Sequence, residues 1–494
     1  MKFLGLRLCE HDSNLSYSDG SQIKYIKLER LNHIKHYGSN NLYDWLPILK
    51  TWNVNPKDLD AICFVIDNKH QDVIGVDYSA QEQRISIVNK IFSELSCPIY
   101  RIDHHWAHVL SLWPLDVDTT TDFVFDGFGD DLRSHTIFKD DKIKHFATLK
   151  EAESIGRVFG TIGREVFNLE GQMLDFAGKL MGLKSYGTLN TDFCNSIADL
   201  GMYDVRSAFE PARWIYNQNP EDWLRCLHEH YEKVYPDYFL KFAKREESIS
   251  YSGGIAQNTV INTKIKQQFN NVAIPPHCND DGLSLGCIEY LRKHYEQPPF
   301  SNVGFPFWQE DEQPPDRPSD ATVQTIAEAL AQGQIVGWYQ GKGEIGPRAL
   351  GNRSVLMNPT IQNGKDILNQ KVKQREAYRP FGATILEEYT TDYFDWSDPS
   401  PYMLFVCDIL DKQSFKPITH VDNTCRIQTL DEYQNVDYRR LISSFEKLTG
   451  VPMLLNTSLN VGGNPIAGSF REAFELFYES QLDILVIGDD IYYK

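Results

Sequence analysis

A proline-rich stretch at residues 297–318, QPPFSNVGFPFWQEDEQPPDRP, most constrains how this chain of 494 residues can fold. Proline fixes φ and lacks a backbone N–H, and the stretch shows neither helical nor strand periodicity. A chain of this length is expected to hold more than one domain. The stretch therefore predicts a domain over 1–300, a linker over 301–320 and a second domain over 321–494.

Strand-like and helix-like runs alternate on both sides of this linker. Apolar runs predict strands at 2–8, 22–28, 59–66, 98–102, 122–125, 248–251 and 335–339, with hairpins about 18–21 and within 135–149. Amphipathic patterns predict helices at 79–95, 255–267, 281–295 and 321–332. Mixed elements of this kind indicate the α/β class.

The segment 341–379 concentrates positive charge in an otherwise acidic chain. It holds eight basic and three acidic residues, whereas the whole chain has a formal net charge of -19. Glycines interleave with Arg348 and Arg353 in GKGEIGPRALGNRS, which favours a shaped loop over a solvated basic face. Guanidinium groups bind phosphate and carboxylate oxygens in pairs, so the segment predicts a site for a small, highly charged anion.

Two glycine turns follow predicted strands in the first domain, DGFG at 126–129 and SGGIAQN at 252–258. Each would place backbone N–H groups where a polyphosphate could lie, and the second opens a helix. Either turn alone could need glycine only for positive φ. Together they suggest the two-lobed nucleotide cleft of actin-like and sugar-kinase-like folds.

The segment DHHWAH at 103–108 places His104 and His108 four residues apart, on one face of a helix. Such a pair can hold one metal ion if a carboxylate completes the site, and Asp280 is the best candidate. The alternative, that Asp280 only caps the following helix, is equally open at this point.

Other polar groups follow predicted strands. His11 and Asp12 could deprotonate a hydroxyl group or could simply form a turn. In the last third, polar side chains in THVDNTCRIQ (419–428) and LNTSLN (455–460) could bind a planar urea-like or carboxyl-like group, or form ordinary turns.

The overall composition favours a cytoplasmic protein. The N-terminal residues lack signal-peptide features, no run of about 18 apolar residues predicts a membrane span, and nine dispersed cysteines suggest reduced thiols. The net negative charge argues against broad non-specific binding to nucleic acid or to anionic membranes.

In combination, these motifs closely resemble the ATP-dependent O-carbamoyltransferases of the nodulation-factor, cephamycin and tobramycin type. The matching segments run collinearly from HDSN at 11–14 through DHHWAH, DGFG, GKLMGLKSYG (178–187) and SGGIAQN. They continue through GEIGPRALGNRS, KQREAYRPF (373–381), THVDNTCRIQT and LLNTSLN (454–460).

The resemblance implies an actin-like (ASKHA, threonylcarbamoyl-transferase-like) two-lobed N-terminal domain and a YrdC-like α/β C-terminal domain. In the family, the C-terminal domain makes carbamoyl adenylate from carbamoyl phosphate and ATP, and the N-terminal domain transfers the carbamoyl group to an acceptor hydroxyl. The implied cofactors are ATP with Mg²⁺, carbamoyl phosphate as co-substrate and one divalent metal, Fe²⁺ by preference. A homodimer is allowed.

The resemblance also assigns roles to residues of this chain. His104, His108 and Asp280 match the metal ligands, and His11 or Asp12 is the candidate base. The catalytic positions in the second domain are Arg348, Arg353 and Lys373. The positions matching nucleotide or carbamoyl contacts are Gly127, Gly129, Lys179, Gly253, Gly254, Asn258, Arg375, Arg379, His420, Arg426, Asn456, Ser458 and Asn460.

This chain departs from the family pattern at a few positions. The family commonly reads MGLAPYG where this chain has MGLKSYG, so Lys184 and Ser185 replace alanine and proline. Lys342 stands where arginine is commoner, and NTSLN replaces the usual NTSFN. Acceptor loops also look shorter, which puts acceptor identity in doubt.

Three alternatives remain. A threonylcarbamoyl-type transferase acting on tRNA is disfavoured by the fused second domain and the acidic chain. A hydrogenase-maturation enzyme would need an acylphosphatase segment and zinc-binding cysteine pairs that the sequence lacks. A non-catalytic ATP-binding module is disfavoured by the retained basic residues. The acceptor could be a sugar or antibiotic hydroxyl, or a hydroxymethylated nucleotide or DNA base.

Overall fold

The computed structural model describes residues 1–8, 11–39, 44–66, 77–79, 97–151, 154–198, 219–310, 312 and 314–494. Two compact units are formed by these residues. Unit 1 contains Met1–Arg157, Leu240–Ala256 and Phe269–Glu310, and unit 2 contains Val158–Phe239, Gln257–Gln268 and Asp311–Lys494. Each unit combines three separate segments of the chain, unlike the predicted continuous domains 1–300 and 321–494. That predicted division stays a prediction.

The strands carry the labels β1 to β19 in chain order. They are Phe3–Leu8, Asn14–Ser18, Ile23–Lys27, Ala61–Ile66, Asp77–Ser79, Ile99–Ile102, Thr121–Phe125, Arg133–Lys139, Lys142–Thr148, Ser248–Ser252, Asn271–Ala273, Val336–Tyr339, Arg353–Met357, Gly382–Leu386, Phe405–Asp408, Thr424–Leu430, Met453–Ser458, Ile484–Ile487 and Asp490–Tyr493.

The helices carry the labels α1 to α14. They are Glu29–Asn32, Leu46–Thr51, His104–Leu110, Ile155–Glu165, Met173–Leu183, Thr191–Ile197, Pro220–Phe239, Thr259–Lys266, Leu283–His294, Asp320–Ala331, Gly364–Leu368, Thr390–Tyr393, Val436–Thr449 and Phe470–Glu479. None of the helices in the described ranges combines the length and the apolar character needed to cross a membrane.

Unit 1 contains two sheets with one repeated strand order. The first sheet has the order β3-β2-β1-β4-β6-β5 and the second has the order β9-β8-β7-β10-β11. In each, three antiparallel strands are followed by two strands parallel to the first. The α/β class is therefore confirmed, and the repeat is what the predicted two-lobed, actin-like domain requires.

Strand β2 corrects one expectation. The sequence predicts a hairpin between 2–8 and 22–28, but β2 lies between them and pairs with both β1 and β3. Its polar side chains are buried because α9 supplies their hydrogen bonds. The Oγ atoms of Ser16 and Ser284 lie 2.6 Å apart, and Ser284 N–H donates to Asn14 Oδ1. Buried polar strands of this kind give no apolar signal.

Most other predicted elements are present. The hairpin within 135–149 is β8 and β9, and the helix at 281–295 is α9. The predicted helix at 255–267 begins with a 3₁₀ turn at Gly254–Gln257 and continues as α8. The predicted helix at 79–95 falls almost entirely outside the described residues.

Unit 2 contains an eight-stranded mixed sheet in the order β15-β16-β14-β17-β13-β12-β18-β19. Side chains alternate between its faces with a period of two. One face is mainly apolar, with Val355, Ala383, Ile427 and Leu455 among its buried residues. The YrdC-like identity predicted for this part of the chain stays a prediction.

The opposite face of this sheet is divided into two parts. Its apolar part packs against α10 and α13 through residues such as Trp338, Leu386 and Leu454. Further along the same strands, the positions on this face become polar. They are Ser354, Thr384, Arg426, Gln428, Asn456 and Ser458. A polar strand face beside an apolar one marks where a ligand, rather than a helix, would cover the sheet.

Candidate functional site

Helix α3 presents the predicted histidine pair. Asp103 caps this helix by accepting a hydrogen bond from the Trp106 backbone N–H. The helix begins directly after β6, so its first turn lies at the carboxyl end of a strand of the first sheet. His104 and His108 lie one turn apart and are both buried, with 2% and 0% of their surfaces exposed.

Two carboxylates complete a metal pocket, the name used here for His104, His108, Asp126 and Asp280. Asp126 Oδ2 lies 3.0 Å from His104 Nε2 and 3.2 Å from His108 Nε2. Asp280 Oδ1 lies 3.4 Å and 3.5 Å from the same nitrogens. One ligand atom from each residue lies within 4.8 Å of the others. The three residues predicted as ligands are thus together, and Asp126 joins them.

Asp126 is held by the two predicted glycine turns. Its Oδ1 atom accepts hydrogen bonds from the backbone N–H groups of Gly127 (2.7 Å) and Gly254 (3.1 Å). Gly253 has φ +91° and lies so close to β7 that a Cβ atom there would be 2.1 Å from Phe125 O. Only glycine fits this position. These N–H groups, predicted to meet a nucleotide, therefore orient a pocket carboxylate in this structure.

Gly129 lies beneath the histidine helix. Its backbone N–H donates to Arg133 O, and a Cβ atom would be 2.7 Å from His105 Nε2. The DGFG turn therefore allows α3 to approach the second sheet closely.

The donor set fits a divalent transition metal. Two imidazole nitrogens and two carboxylate oxygens suit Fe²⁺, Mn²⁺ or Zn²⁺. Burial and the neighbouring Asp280 raise the pKa of Asp126, but hydrogen bonds from both histidines outweigh them and the net pKa is lowered. Two buried carboxylates this close repel each other, and a cation between them would remove that repulsion.

Asp280 is also an ion-pair partner. Arg7 Nη2 lies 2.6 Å from Asp280 Oδ2, and both side chains are buried. Burial raises the pKa of Asp280, but the Arg7 charge reverses the effect and holds it well below its ordinary value. Asp280 therefore does not merely cap α9, whose N-cap is Gly282.

Beside the metal pocket lies a second buried cluster, the Lys27 network of Lys27, Asp12, Glu29 and Asp281. Lys27 Nζ lies 2.9 Å from Asp12, 3.2 Å from Glu29 and 2.6 Å from Asp281. One ammonium cannot balance three carboxylates. Burial accordingly raises the pKa of Asp281 to about 6, whereas Lys27 and His36 hold the pKa of Asp12 well below its ordinary value despite burial.

His11 links this network to the metal pocket. Its Nδ1 atom lies 3.1 Å from Asp12 Oδ2 and 3.9 Å from Asp280 Oδ2. Burial lowers the pKa of His11, but the hydrogen bond with Asp12 raises it above the ordinary value. The His11 side chain is 34% exposed, whereas that of Asp12 is 5% exposed. His11 is therefore the accessible member of the predicted pair.

In unit 2, four arginines converge near the polar part of the sheet face. This arginine group consists of Arg348, Arg375, Arg379 and Arg426. Burial, followed by Arg348 and Arg375, lowers the pKa of Arg426 well below its ordinary value. Burial and the neighbouring Arg379 also lower the pKa of Arg375. Guanidinium groups that repel one another beside a polar sheet face are a candidate site for a multiply charged anion.

Little acidic charge opposes the arginine group. Glu376 Oε2 lies 3.6 Å from Arg379 Nη1, and its other oxygen lies 2.7 Å from Lys179 Nζ. Arg348 Nη2 donates weakly to Gln257 O, and Arg375 Nη2 donates to Pro380 O. Within the part of the chain that the structure describes, no ion pair involves Arg426, and its Nε atom is buried without a hydrogen-bond acceptor.

Arg353 and Lys373 hold loops in this structure. Arg353 donates to the carbonyl oxygens of Gln340, Gly341 and Asn352 and stacks 3.5 Å from the Tyr339 ring. Lys373 Nζ donates to Ser458 O and to the backbone and side-chain oxygens of Asn460. Both residues are 1% exposed. They fix the loops beside the arginine group, and their predicted catalytic contacts stay predictions.

Several side chains of unit 2 that were predicted to contact the nucleotide or the carbamoyl group form hydrogen bonds with other protein groups in this structure. Asn456 Nδ2 donates to Thr384 Oγ1 and Ala349 O, while its Oδ1 atom is buried without a donor. Ser458 Oγ donates to Asn460 Oδ1. His420 Nε2 lies 2.9 Å from Gly182 O.

Lys179 and Asn258, which were predicted to contact a nucleotide, have protein partners in this structure. Both lie in unit 2, whereas Gly127, Gly129, Gly253 and Gly254 lie in unit 1. Lys179 binds Glu376 and donates to Glu170 O. Asn258 caps α8, because its Oδ1 atom accepts from Ile261 N–H, and its Nδ2 atom lies 3.1 Å from His228 Nε2.

Three residues of these sites, Asp126, Lys27 and Glu344, were not predicted from the sequence. Glu344 Oε1 accepts from the backbone N–H groups of Leu350, Asn352 and Arg353, which fixes the loop that carries Arg348. The signal for Asp126 was available. Asp126, like Asp280, is an acid at the start of a polar turn that contains glycine.

Comparison with known proteins identifies the family. Residues 65–288 match the family model "Carbamoyltransferase N-terminus" and residues 327–494 match "Carbamoyltransferase C-terminus". The nodulation protein NolO of Bradyrhizobium diazoefficiens is 30% identical over 78% of this chain and 78% of its own. The 3'-hydroxymethylcephem-O-carbamoyltransferase of Amycolatopsis lactamdurans is 31% identical over 65% of each chain.

Among solved structures, component A of the Acidaminococcus fermentans (R)-2-hydroxyglutaryl-CoA dehydratase aligns over 60% of this chain and 100% of its own, with 12% identity and a TM-score of 0.39. The two family models together match most of the chain, one on each side of the proline-rich stretch. The chain therefore belongs to the carbamoyltransferase family.

Proposed function

We propose that this protein is an ATP-dependent O-carbamoyltransferase that uses carbamoyl phosphate as donor. The observation that carries the proposal is the arginine group of unit 2, in which burial and neighbouring guanidinium groups lower the pKa of Arg426 and Arg375. Carbamoyl phosphate and the ATP triphosphate are dense anions that would balance this charge. Family membership supports carbamoyl transfer as the reaction.

Activation would occur at the arginine group. Water cleaves carbamoyl phosphate to carbamate and phosphate, and a carbamate oxygen then attacks the α-phosphorus of ATP and displaces pyrophosphate. The product is carbamoyl adenylate. Arg348 and Arg426 would stabilise the charge that develops on the leaving groups, while Arg353 and Lys373 keep the surrounding loops in place.

Transfer would occur beside the metal pocket of unit 1. His11, held by Asp12, removes the proton of the acceptor hydroxyl, and that oxygen attacks the carbamoyl carbon. The carbamoyl–phosphate oxygen bond breaks, so the products are the O-carbamoylated acceptor and AMP. We favour His11 over Asp12 as the base because Asp12 is buried and lies in ion pairs with Lys27 and His36.

His104, His108, Asp126 and Asp280 would hold one divalent metal, for which Fe²⁺ is the proposed ion. Such an ion supplies Lewis acidity toward phosphate or carbonyl oxygens when bound. Mg²⁺ would accompany ATP at the arginine group. The predicted division into an actin-like transfer domain and a YrdC-like activation domain is part of this proposal.

The proposed acceptor carries a hydroxyl group on a small molecule, such as a sugar or an antibiotic, or on a hydroxymethylated nucleotide or DNA base. The name of the Amycolatopsis relative specifies a hydroxymethyl acceptor. A tRNA acceptor is disfavoured by the fused second domain, and the net charge of -19 disfavours tRNA and DNA alike relative to a small molecule.

Separate assays of the two half-reactions test the proposal. Wild-type protein with carbamoyl phosphate, ATP and Mg²⁺ should release pyrophosphate. Arg348→Ala should reduce this release by a factor of about 100 or more, because it removes one charge-stabilising group. His108→Ala should spare pyrophosphate release and abolish transfer. Arg317→Ala, at an exposed ion pair with Asp437, is the matched control and should change neither reaction.

Two outcomes would contradict the proposal. If wild-type protein forms no adenylate with or without an acceptor, it is an ATP-binding module rather than a transferase. If Arg348→Ala and His108→Ala lose the same half-reaction, the assignment of activation and transfer to separate sites is wrong. Mass spectrometry of an acceptor panel, scored for the gain of one carbamoyl group, would identify the acceptor class.

A further inference from the structure

Each carboxylate of the metal pocket has one oxygen close to the two histidines. For Asp126 this inner oxygen is Oδ2, which lies 3.0 Å from His104 Nε2 and 3.2 Å from His108 Nε2. For Asp280 it is Oδ1, which lies 3.4 Å and 3.5 Å from the same nitrogens. The outer oxygen of each carboxylate accepts hydrogen bonds from groups that do not belong to the pocket.

Backbone groups hold the outer oxygen of Asp126. Its Oδ1 atom accepts from Gly127 N–H at 2.7 Å and from Gly254 N–H at 3.1 Å. Both donors belong to glycine turns that follow strands of the second sheet, so their positions are set by the backbone. These two hydrogen bonds leave Oδ2 as the oxygen that Asp126 offers to a metal.

A side chain holds the outer oxygen of Asp280. Arg7 Nη2 donates to Asp280 Oδ2 at 2.6 Å, and His11 Nδ1 lies 3.9 Å from the same oxygen. Arg7 is 0% exposed and lies in β1, an interior strand of the first sheet whose other side chains are apolar. An arginine at such a position is costly to desolvate, and its ion pair offsets that cost.

Strand β2 fixes the backbone of Asp280 beside this ion pair. Asn14 is the β2 residue paired with Arg7, so the two side chains extend from the same face of the sheet. Asn14 Nδ2 donates to Asp280 O at 2.9 Å. Asp280 is therefore held at two points, and turning both of its oxygens toward the pocket would break the ion pair with Arg7.

The number of oxygens that Asp280 offers decides how many coordination positions a metal keeps for other ligands. A carboxylate can bind a cation through one oxygen or through two. The pocket brings together four ligand atoms, one from each residue. Mn²⁺ favours about six ligands, so about two positions would remain for oxygens that are not from the protein. Coordination through both oxygens of Asp280 would fill one of them.

We propose that Arg7 is a positioning residue that keeps Asp280 to coordination through one oxygen, so that a bound divalent metal retains a position for a phosphate or carbonyl oxygen of the substrate. The inference rests on the proposed function, because it takes the pocket as the metal site of carbamoyl transfer. All of the residues involved lie in unit 1. Arg7 is outside every motif found in the sequence, because its partner lies 273 positions away.

The test uses Mn²⁺ alone as the probe and measures the relaxation rate of water protons, which rises with the number of exchangeable water molecules on the bound ion. Wild-type protein saturated with Mn²⁺, as checked by calorimetry, should hold about two such waters. Arg7→Met frees Asp280 Oδ2. It should still bind Mn²⁺ but should lower the relaxivity of the bound ion to about half, because Asp280 can then coordinate through both oxygens.

A second substitution checks that Arg7 acts through Asp280. Asp280→Asn in the Arg7→Met background supplies a ligand with a single oxygen and should restore the relaxivity to the wild-type level. This double variant also leaves no unpaired charge of the Arg7 pair in the core. Arg292→Met, which breaks an ion pair with Glu289 on α9, is the matched control and should leave the relaxivity unchanged.

Inorganic phosphate tests the position kept for the substrate. Added to wild-type protein loaded with Mn²⁺, it should displace water and lower the relaxivity. Its affinity for the loaded Arg7→Met variant should be lower by a factor of about 10, as expected for the loss of one strong contact. The double variant with Asp280→Asn should recover most of that affinity. Equal phosphate affinity in wild type and Arg7→Met would contradict the proposal.

Several other outcomes would overturn this role of Arg7. Fewer than about two waters on Mn²⁺ in wild-type protein would mean that Asp280 already binds through both oxygens, and this measurement decides even if Arg7→Met fails to fold. Unchanged relaxivity in Arg7→Met, an equal fall in Arg292→Met, no restoration by Asp280→Asn, or no binding of Mn²⁺ would also overturn it. The half-reaction assays decide the proposed function separately. Expected relaxivities without carbamoyl transfer would reject that function and keep the role of Arg7 toward the metal.

Discussion

The metal pocket of unit 1 and the arginine group of unit 2 balance charge in opposite ways. In unit 1, carboxylates near the pocket lie against buried cations, as Asp280 lies against Arg7 and Asp12 against Lys27. In unit 2, guanidinium groups lie close together, so that burial and the charges of Arg348 and Arg375 lower the pKa of Arg426. Protein cations therefore offset carboxylates in the first site, whereas an anion would offset the positive charge of the second.

The largest change in stability is expected when the buried ion pair of Arg7 and Asp280 is broken. Asp280→Ala leaves the Arg7 guanidinium buried and without its carboxylate. Such a loss costs roughly 3–5 kcal/mol. For a unit of about 200 residues this corresponds to a fall of roughly 10 °C in Tm, measurable by differential scanning calorimetry.

An apolar replacement of both partners separates charge imbalance from loss of packing. Arg7→Met with Asp280→Leu should recover most of the lost stability, because no unpaired charge remains. Metal binding should stay absent in both variants, as one ligand is missing. If the double variant is no more stable than Asp280→Ala, the pair is not the reason for the loss.

Acid should weaken unit 1 more than unit 2, in which burial lowers the pKa of His228 and His420 by less than that of the histidines below. Burial lowers the pKa of His277 to about 4 and that of His135 to about 3, the latter with a contribution from His145. In the unfolded chain these histidines have a pKa near 6.5, so they leave the free energy of unfolding unchanged above that pH and lower it as the pH drops below it. At pH 5 each of them lowers the free energy of unfolding by about 2 kcal/mol.

Hydrogen exchange followed by mass spectrometry at pH 7.5 and pH 5 can resolve the two units. Unit 1 should lose protection first. His135→Phe, which keeps a ring against Phe125, should reduce the pH dependence of unit 1 by about 2 kcal/mol. Equal acid sensitivity of both units, or an unchanged pH dependence in this variant, would contradict the interpretation.

The two sites also differ in how far the sequence predicted them. Local signals predicted well: the spacing of His104 and His108 predicted a shared helix face, and the basic segment 341–379 contains three of the arginines that the structure brings together. The anion site itself stays a prediction. Contacts between residues that are distant in the sequence could not be predicted in this way. Nothing near Lys27 in the sequence indicates that Asp281, more than 250 residues later, is its partner, because strand order and side-chain register decide that contact.

The same limit explains Arg353. Sequence reasoning grouped it with Arg348 because both lie in one basic motif. Strand β13 turns Arg353 back onto the carbonyl oxygens of the loop, whereas Arg348 remains in the loop itself. Residue type and spacing predict that a guanidinium is present, but only the backbone path decides whether it binds a ligand or the protein. Strand β2 was not predicted for a related reason. Its buried side chains are polar, and their hydrogen-bond partners in α9 lie far away in the sequence.

A smaller effect is expected when one member of the arginine group is removed. Arg426→Met takes away a buried guanidinium that has no ion-pair partner among the described residues, so unit 2 should become about 1 kcal/mol more stable in the absence of ligand. The rise in Tm that pyrophosphate gives wild-type protein should be lost. Arg439→Met, which breaks an ion pair with Glu388, is the control and should keep that rise. Destabilisation by Arg426→Met would mean that its charge is compensated after all.

The smallest effect concerns Glu376, an acid beside the arginine group. Glu376 lies between Lys179 and Arg379 and is about one third exposed. Glu376→Gln removes its negative charge and should tighten pyrophosphate binding by about 0.5 kcal/mol, or roughly twofold, at low ionic strength. Because solvent screens this exposed group, the gain should vanish in about 0.5 M salt. Glu388→Gln, at an ion pair outside the group, should have no such effect. Weaker pyrophosphate binding by Glu376→Gln would instead show that Glu376 orients Arg379 for the anion, and the second site would then be partly preassembled like the first.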